Sequence, residues 1–303
     1  MLKRIYAKIF PTNVVMSTVY YLKNPKPRLK IMTPRKSIEY IEKTGCSVAR
    51  FGDGEFDMIL WPDKCEGYQK NSAKLVESLS DVLASQTPNL LICIPYALNN
   101  IWGRTQESRN FWYYWSERKD QRKLITDLIR GYHGTKYVFG DTQISRPYIA
   151  WKTSKNADIM FPRLKKLWEA KDIIIVEGVK TRLGVGNDLF SGAKSIKRIL
   201  GPATNAFDHI DEIREKIVEI RKDELVILAL GPTATILAAD LAECGIQAID
   251  IGHVDIEYEW YLRKATGHDR IPGKFTNEAA QGNHVDDCDD AWYNSQIVAR
   301  IDG

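Results

Sequence analysis

Short β-branched runs alternate with longer stretches of helical spacing along the chain. Apolar runs at 47–51, 90–94, 136–139, 173–176, 225–230 and 248–251 are brief and continuous, the pattern of strands buried on both faces. Between them, 72–85, 107–130, 157–171, 208–222 and 235–244 carry apolar residues at helical intervals. This alternation predicts an α/β fold, a Rossmann-like and mostly parallel sheet with helices on both faces. The clearest unit is 225–252: a strand, the turn Gly231-Pro232-Thr233-Ala234, a helix, Gly245 at its C′ position and a second strand. Such a turn lies at the carboxyl edge of the sheet, where helix N-terminal N–H groups can accept a phosphate, so Gly231 and Thr233 are candidate ligand-binding residues. Strand, glycine turn and helix also recur for purely structural reasons.

Packing explains a strand's interior but not a cluster of charged residues just past its end, and four such clusters occur. In Arg50-Phe51-Gly52-Asp53-Gly54-Glu55, Gly52 and Gly54 bracket an acid, and a second acid follows two residues later. Glycine lets backbone approach a ligand, and carboxylates at D-x-E spacing can hold a divalent cation together with a diphosphate; Arg50 adds a cation. The alternative is an Asp-Gly turn with solvated acids. The second cluster, 177–190, supplies Lys180 and Arg182 as phosphate partners, Gly184 and Gly186 in a flexible turn, and Asn187-Asp188 to cap a following helix. Its glycine spacing does not complete G-x-G-x-x-G, so NAD is not expected.

The third cluster, 252–260, follows the strand at 248–251. On a helix Asp255 and Glu259 share a face while Glu257 points elsewhere, and His253 precedes that helix as a metal ligand or proton carrier. The fourth, 141–148, offers Arg146 and Tyr148 as support. The acidic stretch 284–290 reads as a solvated terminal segment, and the aromatic block of Trp102, Trp112, Tyr113, Tyr114 and Trp115 as core, interface or stacking surface.

The 303 residues, 44% apolar, suit one large domain or two modest ones. The formal charge of +4 excludes a polycation that binds nucleic acid by bulk charge. That total is uneven: residues 1–36 hold nine basic residues and no acid, which leaves the remainder at −5. With Tyr6, Phe10, Tyr20 and Tyr21 interleaved, the leader suits an anionic membrane surface, or else a solvated arm or oligomer contact. Interruptions between Ile9 and Leu22 argue against a membrane span, and no cleavage pattern follows, so the chain is expected to start at Met1 without a secretory signal. Cys46, Cys65, Cys93, Cys244 and Cys288 are odd in number and scattered, which argues against disulfides and structural zinc and for a reducing cytoplasm, with peripheral contact at the inner membrane face.

In order along the chain, R-F-G-D-G-E at 50–55, S-R-P-Y at 145–148, R-L-G-V-G-N-D-L-F at 182–190, G-P-T-A-T at 231–235 and D-I-G-H-V-D-I-E-Y-E-W at 250–260 resemble the GT-D-fold glycosyltransferases of bacteria. The similarity runs from about Pro34 to Glu278, which divides the chain into a basic arm (1–33), a transferase domain (34–283) and an acidic tail (284–303). The resemblance implies a nucleotide-sugar-dependent transferase with UDP-glucose as the usual donor, a divalent metal (Mn²⁺ or Mg²⁺), and a glycan, glycopeptide or lipid-linked saccharide acceptor in surface glycoprotein or polysaccharide synthesis. It places the family's D-x-E motif on Asp53 and Glu55, and its histidine and acid on His253 and Glu259. Thr181 stands where the family's serine is expected.

The chemistry agrees. Sugar transfer builds negative charge on the departing diphosphate, which a metal and cations stabilise, and an inverting enzyme needs a base for the acceptor hydroxyl. Glu259, His253 and Asp255 are the candidates for that base, with His253 also a possible metal ligand beside Asp53 and Glu55. Two other functions fit the same residues: a metal-dependent nucleotide-sugar or phosphosugar hydrolase, and a non-catalytic nucleotide-sugar-binding subunit.

Overall fold

All six predicted strands form, and three unpredicted ones join them. A computed structural model describes residues 12–64, 67–282 and 284–302; Lys3, Arg4, Tyr6, Lys8 and Phe10 of the basic arm, and Cys65, lie outside the described residues. The strands are β1 (Lys30–Ile31), β2 (Ser47–Arg50), β3 (Leu90–Ile94), β4 (Val138–Asp141), β5 (Asp172–Gly178), β6 (Ser195–Gly201), β7 (Leu225–Ala229), β8 (Ala248–Asp250) and β9 (Ile297–Arg300). The helices are α1 (Thr12–Leu22), α2 (Pro34–Thr44), α3 (Asp53–Leu60), α4 (Ala73–Ala84), α5 (Gln106–Glu117), α6 (Gln121–His133), α7 (Lys155–Trp168), α8 (Ile210–Ile220), α9 (Pro232–Glu243), α10 (Val254–Leu262) and α11 (Ala291–Ser295). Strand order across the sheet is β1-β4-β3-β2-β8-β7-β5-β6-β9. Neighbouring strands are parallel throughout, as in Ile174 opposite both Lys197 and Val226.

Side chains alternate across the pleat and feed two cores. Ala49, Ile92, Ile174, Val226 and Leu228 pack on the face carrying α3, α4, α8 and α9, and Val48, Leu91, Ile173, Ile175 and Ile227 on the face carrying α2, α7 and α10. Each fully buried Ile, Leu or Val contributes roughly 1.5–3 kcal/mol, so burial on both faces explains the unbroken apolar runs. Local signals set the helix starts: Thr33 and Ser72 accept from Lys36 N and Leu75 N, and Pro34 and Pro232 sit in first turns.

One feature of the connectivity positions the site. The neighbours β2 and β8 pair at Val48 and Ile249, yet the chain leaves β2 for α3 on one face and β8 for α10 on the other. Their carboxyl ends therefore flank a topological switch point, where parallel sheets open a crevice.

Several expectations are corrected. The stretch 107–130 is two helices, broken where Lys119 and Asp120 adopt positive φ; there Arg118 turns to the buried carboxylate of Asp57, which Trp115 Nε1 and Gln121 also approach. From α1 onward the arm is docked on the body: the buried Tyr20 hydroxyl donates to Ala97 O at 2.8 Å, Asn24 meets Asn99, and Lys23 pairs with Glu117. The acidic stretch 284–290 is largely exposed, as expected, but it is not a loose end: β9 follows and pairs with β6, and the Tyr293 side chain is buried. The missed β6 carries two cations within it, the part-exposed Lys197 and the buried Arg198. Among the described residues Cys46, Cys93, Cys244 and Cys288 are unbridged, and no helix is long and apolar enough to cross a membrane.

Candidate functional site

Where β2 ends, Arg50 turns its guanidinium toward the neighbouring strand. Its Nη2 pairs with Asp250 Oδ1 at 2.7 Å, its Nε donates to Asp250 O, and its Nη1 donates to Ser145 Oγ. This clasp runs under Gly252, which holds φ +45° and where any Cβ would overlap the guanidinium, so glycine is required there. Arg50 is thereby a neutralised brace at the base of the site, not a free cation for a ligand.

Phe51 and Gly52 then lead into α3, with Asp53 and Glu55 in its first turn. Glu55 Oε2 accepts from Gly52 N at 2.7 Å and so closes the helix's own start. Burial pushes the Glu55 carboxyl up to about 7, with the Gly52 amide opposing, and also raises Asp53, with Arg146 opposing. Neither carboxylate is in an ion pair among the described residues. Asp53 lies in the field of Arg146 and Glu278, and Glu55 in that of Asp250 and Arg50. Hence Asp53, Glu55 and His253 share one wall without converging: among the described residues no three His, Cys, Asp or Glu side chains form a ready metal cluster.

His253, just after β8, places Nε2 3.7 Å from Glu278 Oε2. Desolvation lowers the histidine's pKa despite Glu278, and keeps it neutral near pH 7. Glu278 is held at about 2: burial would raise it, but His253 and Arg146 prevail. Arg146, whose guanidinium bonds Glu278 Oε1, also lies 3.6 Å from Glu257 Oε1.

These groups line a cleft of about 480 Å³, within the range of small-ligand sites. One wing comes from the ends of β5, β6 and β7: Gly178, Thr181, 202–206 and Gly231, with Tyr68 and Gln69 across from them. Gly231, at φ +57°, lies so close to Tyr68 that a Cβ would be 2.6 Å from its ring. The other wing is α5 and the loop before it, with Arg104, Ser108, Phe111 and Trp112, joined by Gln143 after β4.

The remaining predicted residues do other work. Asp255 Oδ1 accepts from Gly184 N at 2.9 Å and Asn187 Nδ2 at 2.8 Å, and its Oδ2 pairs with the buried Lys274 ammonium at 2.6 Å. Glu259 accepts from Asn187 at 2.8 Å and pairs with Lys274 at 3.4 Å and Arg263 at 3.0 Å. Asp255 touches the cleft, but both its oxygens are engaged, and Glu259 does not line it; neither is placed as a free base. Gly184, Gly186 and Asn187 form the loop that this network fixes and lie off the cleft. Arg182 is corrected too: it is buried with its guanidinium on Gly273 O and Asp286 O. Lys180 stays outside the cleft, its carbonyl accepting from Phe275 N, and Thr233 is buried inside α9 with no hydrogen-bond partner for its hydroxyl. Gly52, Gly54 and Gly231 do line the cleft. Sequence reasoning missed Glu278, Arg104 and Tyr68; the spacing around them carries no signal.

A family profile described as glycosyltransferase GT-D fold matches residues 48–279. Glycosyltransferase GlyD of Streptococcus pneumoniae serotype 4 is 33% identical over 99% of this chain and 36% of its own length. The probable glycosyl transferase Gly of Streptococcus gordonii is 36% identical over 92% of this chain and 40% of its own. The chain thus spans well under half the length of these relatives. The first alignment also takes in the arm and C-terminal stretch, which were expected to lie outside the shared region. Among solved structures, a domain of unknown function 1792, described as having a distinct glycosyltransferase fold, superposes with a TM-score of 0.82 at 36% identity, covering 95% of this chain and 99% of that one. A glycosyltransferase of the same domain type from Streptococcus sanguinis gives 0.79 at 33% identity, covering 90% and 100%.

Proposed function

The chain belongs to the glycosyltransferase GT-D-fold family, and from that premise we propose that it transfers a hexose, such as glucose, from a UDP-sugar to a glycan acceptor with the help of Mn²⁺ or Mg²⁺. The observation that carries this reading is the switch-point cleft, whose floor presents two desolvated, unpaired carboxylates, Asp53 and Glu55, beside a neutral histidine. The two carboxylates suit a hard cation. Both carboxylates are costly to keep charged there without one, and Asp53 has both oxygens free of side-chain partners. When bound, a divalent ion would neutralise charge that develops on the departing diphosphate.

The chain's own groups supply the rest. Gly231 and the 202–206 turn shape the wing facing Tyr68, which suits a flat base, with Thr181 adding a hydroxyl. Arg146 holds Glu278 in place, and the Glu278 carboxylate, 3.7 Å from His253 Nε2, favours the protonated imidazole. In an inverting reaction the His253 imidazole takes the acceptor proton, the role that Asp255 and Glu259 are too committed to fill. A lipid-linked or glycopeptide acceptor, with peripheral contact at a membrane through the basic arm, is part of the same proposal.

The test is UDP release from UDP-sugars with Mn²⁺, with and without glycan acceptors. Release that rises several-fold only with acceptor supports transfer. Acceptor-independent turnover would make the protein a hydrolase, and tight UDP binding without turnover in either condition would make it a binding subunit.

A further inference from the structure

Three arginines line the cleft, and two of them come with a carboxylate: Arg50 has Asp250 and Arg146 has Glu278. Arg104 breaks the pattern. It is 1% exposed, forms no ion pair among the described residues, and bonds only neutral oxygens, Gln143 Oε1 at 3.2 Å and Ser108 Oγ at 3.4 Å. Its Nη2 is buried with no hydrogen-bond partner at all. An unneutralised guanidinium with an idle donor is costly in a protein interior, and among the described residues Arg104 is the one of this kind that lines the cleft.

Its surroundings define that use. Trp112 and Trp151 flank the guanidinium at 5.8 and 5.0 Å from their ring centres, which fixes its plane. The backbone is fixed as well, since Arg104 bridges Trp151 and the neighbouring Thr105 N donates to Ala150 O. A planar guanidinium with one uncommitted donor, Nη2, thus lines the cleft on the wing opposite Gly231 and Tyr68.

We propose that Arg104 is an anion-recognition residue, whose free edge takes a phosphoryl oxygen of a substrate bound in the cleft. Forked guanidinium groups match phosphate geometry and bind it more tightly than neutral donors do. The phosphoryl group belongs either to the diphosphate of the donor or to a phosphorylated acceptor. Burial lowers the Arg104 pKa only to about 10, so the group is charged at neutral pH. The proposal rests on the cleft being a substrate site, not on which sugar moves.

Isothermal titration of the full chain with UDP, inorganic pyrophosphate and glucose 6-phosphate tests it, alongside melting of the unliganded protein. Arg104→Met keeps the packing against both tryptophans. Its melting temperature is expected to equal or exceed that of the wild type, while affinity for at least one probe falls about 10- to 100-fold. Loss confined to UDP and pyrophosphate assigns the donor side, and loss confined to glucose 6-phosphate the acceptor side. Should Arg104→Met not fold, Arg104→Lys, which keeps the charge but not the fork, is expected to weaken the same probe about threefold or more. Unchanged affinities in whichever variant folds would overturn the proposal, as would a wild type that binds none of the probes. Acceptor-dependent UDP release together with unchanged affinities overturns this inference alone; Arg104-dependent pyrophosphate binding without any transfer overturns only the transferase reading.

Discussion

The sequence G-H-V-D-I-E-Y-E-W feeds two acidic neighbourhoods that look alike on paper and differ in the folded chain. On α10, Asp255 and Glu259 are buried but saturated, with Lys274, Arg263, Asn187 and Gly184 N covering their oxygens. At the switch point, Asp53, Glu55 and His253 are only half-buried, yet they are short of partners, and burial raises both acids. The first cluster spends its charges on itself and ties the 182–190 loop and Lys274 to α10. The second leaves charge unbalanced and so has something to offer a ligand. The deeper pair is the structural one here; what leaves an acid available to a ligand is an unsatisfied oxygen.

The largest test of that contrast is to remove charge from each. Asp53→Asn and Glu55→Gln are each expected to lower acceptor-dependent UDP release by at least about 100-fold. Their melting temperatures should stay within a few degrees of wild type by calorimetry; a collapse of stability with activity retained would erase the distinction. Lys274→Met strands two buried carboxylates, so it should cost about 3–5 kcal/mol and lower the melting temperature by about 5–8 °C. Glu278→Gln, which leaves His253 with a weaker partner, should reduce kcat by about 10-fold with little change in KM for the donor.

An effect of opposite sign concerns Asp141, a buried acid with one idle oxygen. Its Oδ1 accepts from Tyr96 N and Gln143 N, its Oδ2 has no partner, and burial raises the carboxyl to about 6. The folded state therefore holds the proton more tightly than the unfolded chain, and this group's contribution to stability is lost as pH rises from about 4 through 6. Asp141→Asn removes that loss. It should gain up to about 3 kcal/mol over wild type at pH 7.5 and nothing near pH 4, read as converging denaturation midpoints.

What could be read in advance follows from how local each signal is. The strands β2, β3, β5, β7 and β8 announce themselves because both faces are buried and their apolar residues run consecutively. The strand β6 does not, since Arg198 is acceptable in its interior only because Glu177 waits across in β5, 21 residues earlier in sequence. Asp53 and His253 were legible as polar residues at strand ends. Asp255 and Glu259 looked equally promising because nothing nearby in the sequence reveals that Lys274 will reach them. Glu278 and Arg104 were illegible for the converse reason: each sits in a loop that tertiary packing brings to the cleft.

The crossing of the chain to opposite faces after β2 and β8 has an evolutionary corollary. The crevice exists because two neighbouring strands part company, so its presence is independent of the side chains that line it. Loops on either wing can therefore be rewritten, by substitution or insertion, without re-engineering the sheet beneath. Relatives that share this strand order are free to diverge in donor and acceptor while the floor carrying Asp53 and Glu55 stays put, and specificity changes should map to the wings before they appear on the floor.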